Sequence, residues 1–152
     1  MPTFGKQSHS KLVTCERDIQ TVMIEAIKYF DFTILEGHRD IEKQHEYWQQ
    51  GRALVSEGAN PKHKDSWYIT DKDKVITHID GYEKKGRHNY EPSKAIDAIP
   101  WPIDWNNHIA FNALAALILS ISADFLANGR ISKPIRWGGH WKTFKDLPHY
   151  QI

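Results

Sequence analysis

Two histidines and one aspartate stand where they could hold a metal ion. His88 and Asp97 begin and end a ten-residue stretch that closes a polar loop and opens an apolar, strand-like run. His149 stands in a later run where polar and apolar residues alternate, a pattern typical of a half-buried strand. Catalytic zinc sites use such sets of imidazole and carboxylate ligands and leave the fourth tetrahedral position for water. We therefore hypothesise a zinc site at these three residues.

The charge of this ligand set suits catalysis. With neutral imidazoles and an anionic Asp97, a divalent zinc ion keeps about one positive charge, so it can still acidify water and stabilise an oxyanion. The chain has nine histidines, and His88 on its own would be an ordinary loop residue, since most histidines have surface or packing roles. The His-Glu-x-x-His pattern is absent from the sequence, which argues against helical zinc peptidases and not against zinc.

Three blocks of the sequence resemble the zinc peptidases that bacteriophages use as endolysins. The blocks are Gly37 to Gln44, His88 to Trp105 and Ile135 to Ile152, the last containing Arg-Trp-Gly-Gly and Asp-Leu-Pro-His. These relatives are L-alanyl-D-glutamate peptidases, related to D-alanyl-D-alanine carboxypeptidases. The resemblance implies a zinc-dependent endolysin that hydrolyses the L-Ala-D-Glu bond of the peptidoglycan stem peptide and lyses the bacterial host. It also implies that His88, Asp97 and His149 are the zinc ligands.

Asp146 matches the catalytic residue of this family, an acid three positions before the last histidine. The resemblance implies a general acid-base role. In a turn that leads into the strand, its carboxylate could reach the attacking water without binding the metal. The alternative is an aspartate that only stabilises a turn before Pro148.

Arg39 matches a family arginine that binds the scissile carbonyl or a substrate carboxylate. A guanidinium suits both tasks, because it is permanently charged and forms paired hydrogen bonds. The alternative is a structural ion pair with Asp40 or Glu42. His140 stands where the family usually has an acidic residue, and we assign it no role.

The length of 152 residues predicts one catalytic domain, with residues 52–87 as an inserted loop and hairpin and with no separate cell-wall-binding domain. Lysine and arginine number 20 against 19 aspartates and glutamates, so net charge does not favour nucleic acid. The single cysteine, Cys15, excludes an internal disulfide. We expect a monomer.

Residues 1–10 lack the apolar run of a secretory signal peptide. We therefore expect the protein to stay in the host cytoplasm until release to the cell wall. The resemblance implies that a separate membrane-permeabilising protein gives it access. The apolar segment from Ala113 to Leu126 is about 14 residues long and contains Asp124, which predicts a buried helix and not stable membrane insertion.

Local patterns predict an α+β fold with a small, mainly antiparallel sheet flanked by helices. The resemblance implies the fold of Hedgehog and D-Ala-D-Ala peptidase-like zinc peptidases. The predicted helices are 14–30, with Thr14 as a cap, 40–51, with Asp40 as the N-cap, and 106–127. The predicted strands are 32–35, 67–70, 75–79, 94–99, 135–137 and 149–152, and an Asp-Lys-Asp-Lys turn would join 67–70 to 75–79.

Three other functions remain open from the sequence. A D-Ala-D-Ala carboxypeptidase of cell-wall metabolism would share the metal ligands and recognise a terminal carboxylate. A non-catalytic, zinc-containing wall-binding module would keep the metal, but the presence of Asp146 and Arg39 argues against it. A nucleic-acid-binding role rests only on local lysine patches and aromatic residues, and its binding would depend steeply on salt.

Overall fold

The computed structural model describes residues 1–152 and shows an α+β chain, as predicted. The helices are α1 (Lys6–Leu12), α2 (Arg17–Ala26), α3 (Ile41–Gln49) and α4 (His108–Ala127). The strands are β1 (Phe32–Glu36), β2 (Arg52–Leu54), β3 (Trp67–Ile69), β4 (Ala95–Pro100), β5 (Arg136–Trp137) and β6 (His149–Gln151). The chain forms two compact units, one from Met1–His38 with Glu91–Ile152 and the other from Arg39–Tyr90.

The first unit contains a four-stranded sheet with the order β1-β4-β6-β5. Every neighbouring pair is antiparallel, which confirms the predicted type of sheet. The strand β6 follows all other elements in the chain, yet it lies between β4 and β5. The candidate ligands Asp97 and His149 are therefore carried by the two central strands.

The two faces of this sheet differ in chemistry because successive side chains point to opposite sides of a strand. Ile96, Ala98 and Tyr150 belong to the hydrophobic core, and each is 0% exposed. Asp97 alternates with the first two, and His149 precedes Tyr150. The polar pair is thus on the face opposite to the core.

Two helices bury side chains in this core. In α2, Ile19, Val22 and Met23 are fully buried, as the spacing of its apolar residues predicts. In α4, Leu114 and Ile118 are also fully buried. These side chains join those of the sheet in one hydrophobic cluster, which is the core of the unit.

The helix α4 is less buried than the sequence predicts. Its apolar composition predicts burial around most of its circumference, but its buried residues lie on one face, and Ile109 is 84% exposed. By length and composition alone α4 could also cross a membrane, with 33% of its most apolar window buried. Core helices meet the same criterion, so it does not decide between the two.

The second unit contains α3 and a hairpin of β2 and β3. The helix begins as predicted, because the Asp40 side chain accepts a hydrogen bond from the Lys43 amide at 2.7 Å. The predicted pairing of 67–70 with 75–79 is wrong, since β3 pairs with β2 instead. Residues Lys72–Lys74 form a short 3-10 turn, which the Asp71 side chain caps.

Two helix predictions also need correction. The helix α1 was not predicted, because it is polar and buries only Ser8 and Leu12. Thr14 does not cap α2, whose N-cap is Glu16. The Thr14 hydroxyl instead donates to the Lys11 carbonyl and accepts from the His38 amide.

Tyr150 gives a stability prediction for this core. Its hydroxyl is buried without a hydrogen-bond partner, and burial raises its pKa well above the ordinary value. Because an unsatisfied buried hydroxyl is costly, Tyr150→Phe should raise the free energy of unfolding by about 1 kcal/mol. Urea unfolding measures this change. The exposed Tyr68 provides the control Tyr68→Phe, which should shift the value by less than about 0.5 kcal/mol. A clear loss of stability in Tyr150→Phe would contradict the argument.

Candidate metal centre

Asp97 and His149 face each other across two antiparallel strands. They are register partners on β4 and β6, and the Asp97 Oδ1 atom lies 3.1 Å from the His149 Nδ1 atom. His149 is buried and Asp97 is half-buried. The sheet therefore holds a carboxylate and an imidazole nitrogen side by side without help from a flexible loop.

His88 is held by a short turn of the second unit, Arg87–Asn89. The His88 carbonyl accepts a hydrogen bond from the Arg39 amide at 2.8 Å. Next to it, the Asn89 side chain donates to the Arg39 carbonyl at 3.0 Å and accepts from the Gly86 amide at 2.8 Å. These bonds fix the backbone on both sides of His88, which is itself buried.

His88, Asp97 and His149 together form a group that could hold a metal ion. Each offers one ligand atom, and these atoms all lie within 4.8 Å of one another. Two ligands about 2 Å from a tetrahedral ion are about 3.3 Å apart, close to the 3.1 Å between Asp97 and His149. Both the spacing of this pair and the chemistry of the donors fit a transition-metal ion.

The acids near His149 change its titration. Burial alone would lower the pKa of His149, but the hydrogen bond and charge of Asp97, the hydrogen bond of Gln151 and the charge of Asp146 together raise it above the ordinary value. The anionic groups therefore favour a positive charge at this position. The same negative charges would stabilise a bound cation.

Asp146 lies in the turn that leads into β6, as the sequence predicts. The His149 amide donates to the Asp146 carbonyl at 3.3 Å, and the Asp146 amide donates to the Gly138 carbonyl at 3.1 Å. A Cβ atom at Gly138 would come within 2.4 Å of the Asp146 carbonyl oxygen. Glycine at this position thus allows the close approach that keeps Asp146 beside His149.

Arg39 is held by contacts within the second unit. Its guanidinium donates to the Gln44 side chain at 2.9 Å and lies 4.8 Å from the centre of the Tyr47 ring. The contact with the Tyr47 ring suits the planar shape of the group. The role of Arg39 toward substrate stays a prediction.

Sequence reasoning missed three residues that support these positions: Gly138, Asn89 and Gln151. The Gln151 side chain lies 2.9 Å from the His149 ring. The available signal was its spacing, because residues two apart on a strand share a face. His140, which received no role, is exposed, with its ring 5.0 Å from that of Trp137.

Cys15 has no place in this chemistry. It is 1% exposed, and burial raises the pKa of its thiol to about 12. A thiol with so high a pKa is a poor nucleophile and a poor metal ligand at neutral pH. Cys15 therefore serves as a small apolar residue of the hydrophobic core.

Comparisons with known proteins agree on one enzyme class. A family profile described as "Phage L-alanyl-D-glutamate peptidase" matches residues 2–151. The peptidoglycan L-alanyl-D-glutamate endopeptidase CwlK of Bacillus subtilis (strain 168) is 28% identical over 137 residues, which are 84% of this chain and 64% of the relative. The chain thus spans slightly less than two thirds of that relative's length.

A solved structure shows a similar fold. The Serratia marcescens L-Ala D-Glu endopeptidase ChiX matches with a TM-score of 0.64 and 20% sequence identity. The match covers 98% of this chain and 88% of the other. At this identity the similarity concerns the fold.

The donor group predicts metal binding that depends on three side chains. We expect the protein to bind about one divalent transition-metal ion per chain, and His88→Ala, Asp97→Ala and His149→Ala each to lose it, because three protein ligands leave no redundancy. Inductively coupled plasma mass spectrometry after incubation with metal and gel filtration measures the content. The matched control is His140→Ala, which removes an exposed histidine outside the group and should keep the metal. Full occupancy in His149→Ala would refute the assignment.

Proposed function

The chain belongs to the phage L-alanyl-D-glutamate peptidase family, and on that premise we propose that it is a zinc-dependent peptidase of bacterial peptidoglycan. The bond hydrolysed would be the one between L-alanine and D-glutamate in the stem peptide. The observation that carries the proposal is the His-Asp-His donor group inside a family match spanning residues 2–151. The name of the similar Bacillus subtilis protein supports the same bond and polymer.

Zinc is the metal that best suits this donor set and reaction. Imidazole and carboxylate ligands also accept iron or copper, but hydrolysis transfers no electrons, and zinc has no redox chemistry. When bound, zinc would polarise the scissile carbonyl and lower the pKa of the attacking water. His88, Asp97 and His149 would hold it and leave one position open.

Asp146 would move the proton. Its carboxylate belongs to the turn before His149 and is close enough to help raise the pKa of that histidine. A carboxylate oxygen of Asp146 would accept a proton from the attacking water and return it to the amine of the leaving peptide. The hydrogen bonds between Asp146, Gly138 and His149 keep the turn in place for both transfers.

Arg39 would bind the oxygen that gains negative charge, or a carboxylate of the substrate. Its contacts with Gln44 and Tyr47 restrict the guanidinium before substrate arrives. Such preorganisation matters because a donor that is already oriented costs no reorganisation during the reaction.

We further propose that the enzyme acts as a monomer on the cell wall of a phage host. It would reach the wall from the cytoplasm after a separate protein has permeabilised the membrane. The resemblance to phage endolysins supports the action on the cell wall and the route by which the enzyme would reach it.

One digestion experiment tests both which bond is hydrolysed and whether Asp146 is the general base. With purified peptidoglycan, mass spectrometry should find released peptides that begin with D-glutamate, and a chelator should stop their release. Asp146→Asn keeps the size of the side chain but removes proton acceptance, so the rate should fall roughly 10²- to 10⁴-fold with metal content unchanged. The control is Asp104→Asn, at an exposed turn aspartate that accepts from the Asn106 amide.

Each outcome of that digestion has a distinct meaning. Release of free D-alanine alone would replace the proposed activity with that of a carboxypeptidase. No product from a metal-loaded wild-type protein would indicate a non-catalytic wall-binding module. Normal release by metal-loaded Asp146→Asn would remove Asp146 from the mechanism.

Arg39→Lys tests the geometry of the guanidinium separately from its charge. Lysine keeps the positive charge but has no planar fork, so kcat should fall at least tenfold while metal content and melting temperature stay near wild type. The control Arg17→Lys changes an exposed arginine of α2. Unchanged peptidoglycan hydrolysis in Arg39→Lys would leave Arg39 with a structural role only.

A further inference from the structure

Gln151 contacts the metal-ligand candidate His149 on the side away from Asp97. The two residues are two positions apart on β6, so their side chains share the face of the sheet that carries the donor group. The Gln151 Oε1 atom lies 2.9 Å from the His149 Nε2 atom. The other ring nitrogen, Nδ1, lies 3.1 Å from Asp97. Each nitrogen of the ring therefore has its own partner.

The chemistry of these partners decides which nitrogen is available to a metal. A neutral imidazole carries one proton and offers one lone pair. If the amide oxygen of Gln151 accepts the Nε2 proton, the lone pair is on Nδ1, beside Asp97. If the amide were reversed, its NH₂ group would donate to Nε2. The imidazole proton would then be on Nδ1, and that nitrogen could not bind the metal.

We propose that Gln151 is a positioning residue that keeps the proton of His149 on Nε2 and so presents the Nδ1 lone pair to the metal. This inference rests on the proposed zinc site and deepens it. Metal-binding histidines commonly donate their second N–H to a fixed acceptor, which sets both the ring orientation and the protonated nitrogen. Here the acceptor comes from the same strand as the ligand.

The surroundings of the ring support a fixed orientation. His149 is 7% exposed, and the ring of Trp141 lies 5.1 Å from it, centre to centre. Asp97, Gln151 and Trp141 lie on three sides of the ring. Rotation of the ring by half a turn would put carbon atoms, Cδ2 and Cε1, where Nδ1 and Nε2 now lie, so it would remove the nitrogen beside Asp97 and break the hydrogen bond to Gln151.

A neutral acceptor also suits the charge of the site. Glutamate at position 151 could accept the same proton but would add a negative charge beside two acids, Asp97 and Asp146. The net charge of the zinc site would then fall from about +1 toward zero, which weakens its action on carbonyl and water. Glutamine supplies the hydrogen bond without that loss.

The test measures zinc affinity, which needs no peptidase activity. Gln151→Met has a similar size but no acceptor, so the dissociation constant for zinc should rise about 10- to 100-fold. Gln151→Glu should bind zinc at least as tightly as wild type, yet hydrolyse peptidoglycan more slowly. The matched control is Gln7→Met on the exposed side of α1, which should change neither value.

Nitrogen NMR of ¹⁵N-histidine-labelled, zinc-loaded protein gives a signature that a merely structural role would not produce. In wild type the proton of His149 should be found on Nε2 and exchange slowly, and in Gln151→Met it should exchange faster. The Gln151→Glu protein keeps the test decisive if Gln151→Met folds poorly, because tenfold weaker zinc binding in Gln151→Glu would overturn the inference. Wild-type affinity in a folded Gln151→Met protein would also overturn it.

These results separate the inference from the proposed function. If wild type binds zinc and cleaves peptidoglycan while Gln151→Met has unchanged affinity, only the role of Gln151 fails. If wild type binds no zinc, the metal site fails and the inference fails with it.

Discussion

The pairing of Asp97 with His149 across the centre of the sheet is the contact on which the candidate site depends. Its register is enforced from the opposite face. A slip of one residue would turn Ile96 and Tyr150 toward the polar side, and each large apolar side chain contributes about 1.5–3 kcal/mol by burial. The hydrophobic core therefore determines where the two polar residues meet.

Gly138 and Gly139 allow the segment that carries Asp146 to lie close to this sheet. A Cβ atom at Gly138 would meet the Asp146 carbonyl at 2.4 Å, and one at Gly139 would meet the Trp137 ring at 2.3 Å. The indole of Trp137 in turn donates to the Leu147 carbonyl at 2.7 Å. The segment from Asp146 to His149 is thus fixed by backbone contacts that side chains larger than hydrogen would prevent.

Much of the fold and of the donor group could be predicted because the patterns involved are local. The alternation around His149, the Asp40 cap and the spacing of apolar residues in α2 each act over a few residues. The hairpin partner of β3 could not be predicted, since β2 is short and has no alternation of its own. The roles of Asn89 and Gln151 were missed because their partners are defined by folded geometry, and the amide side chains alone show no preference.

The place of β6 in the sheet has a consequence for synthesis on the ribosome. Every other helix and strand precedes β6 in the chain, so one edge of β4 stays unpaired until β6 has been translated. During that interval the nascent chain carries His88 and Asp97 without His149, and Tyr150 has not yet filled the core. The same strand thus completes both the four-stranded sheet and the donor group, and a translation product that stops before His149 lacks this strand and one candidate ligand.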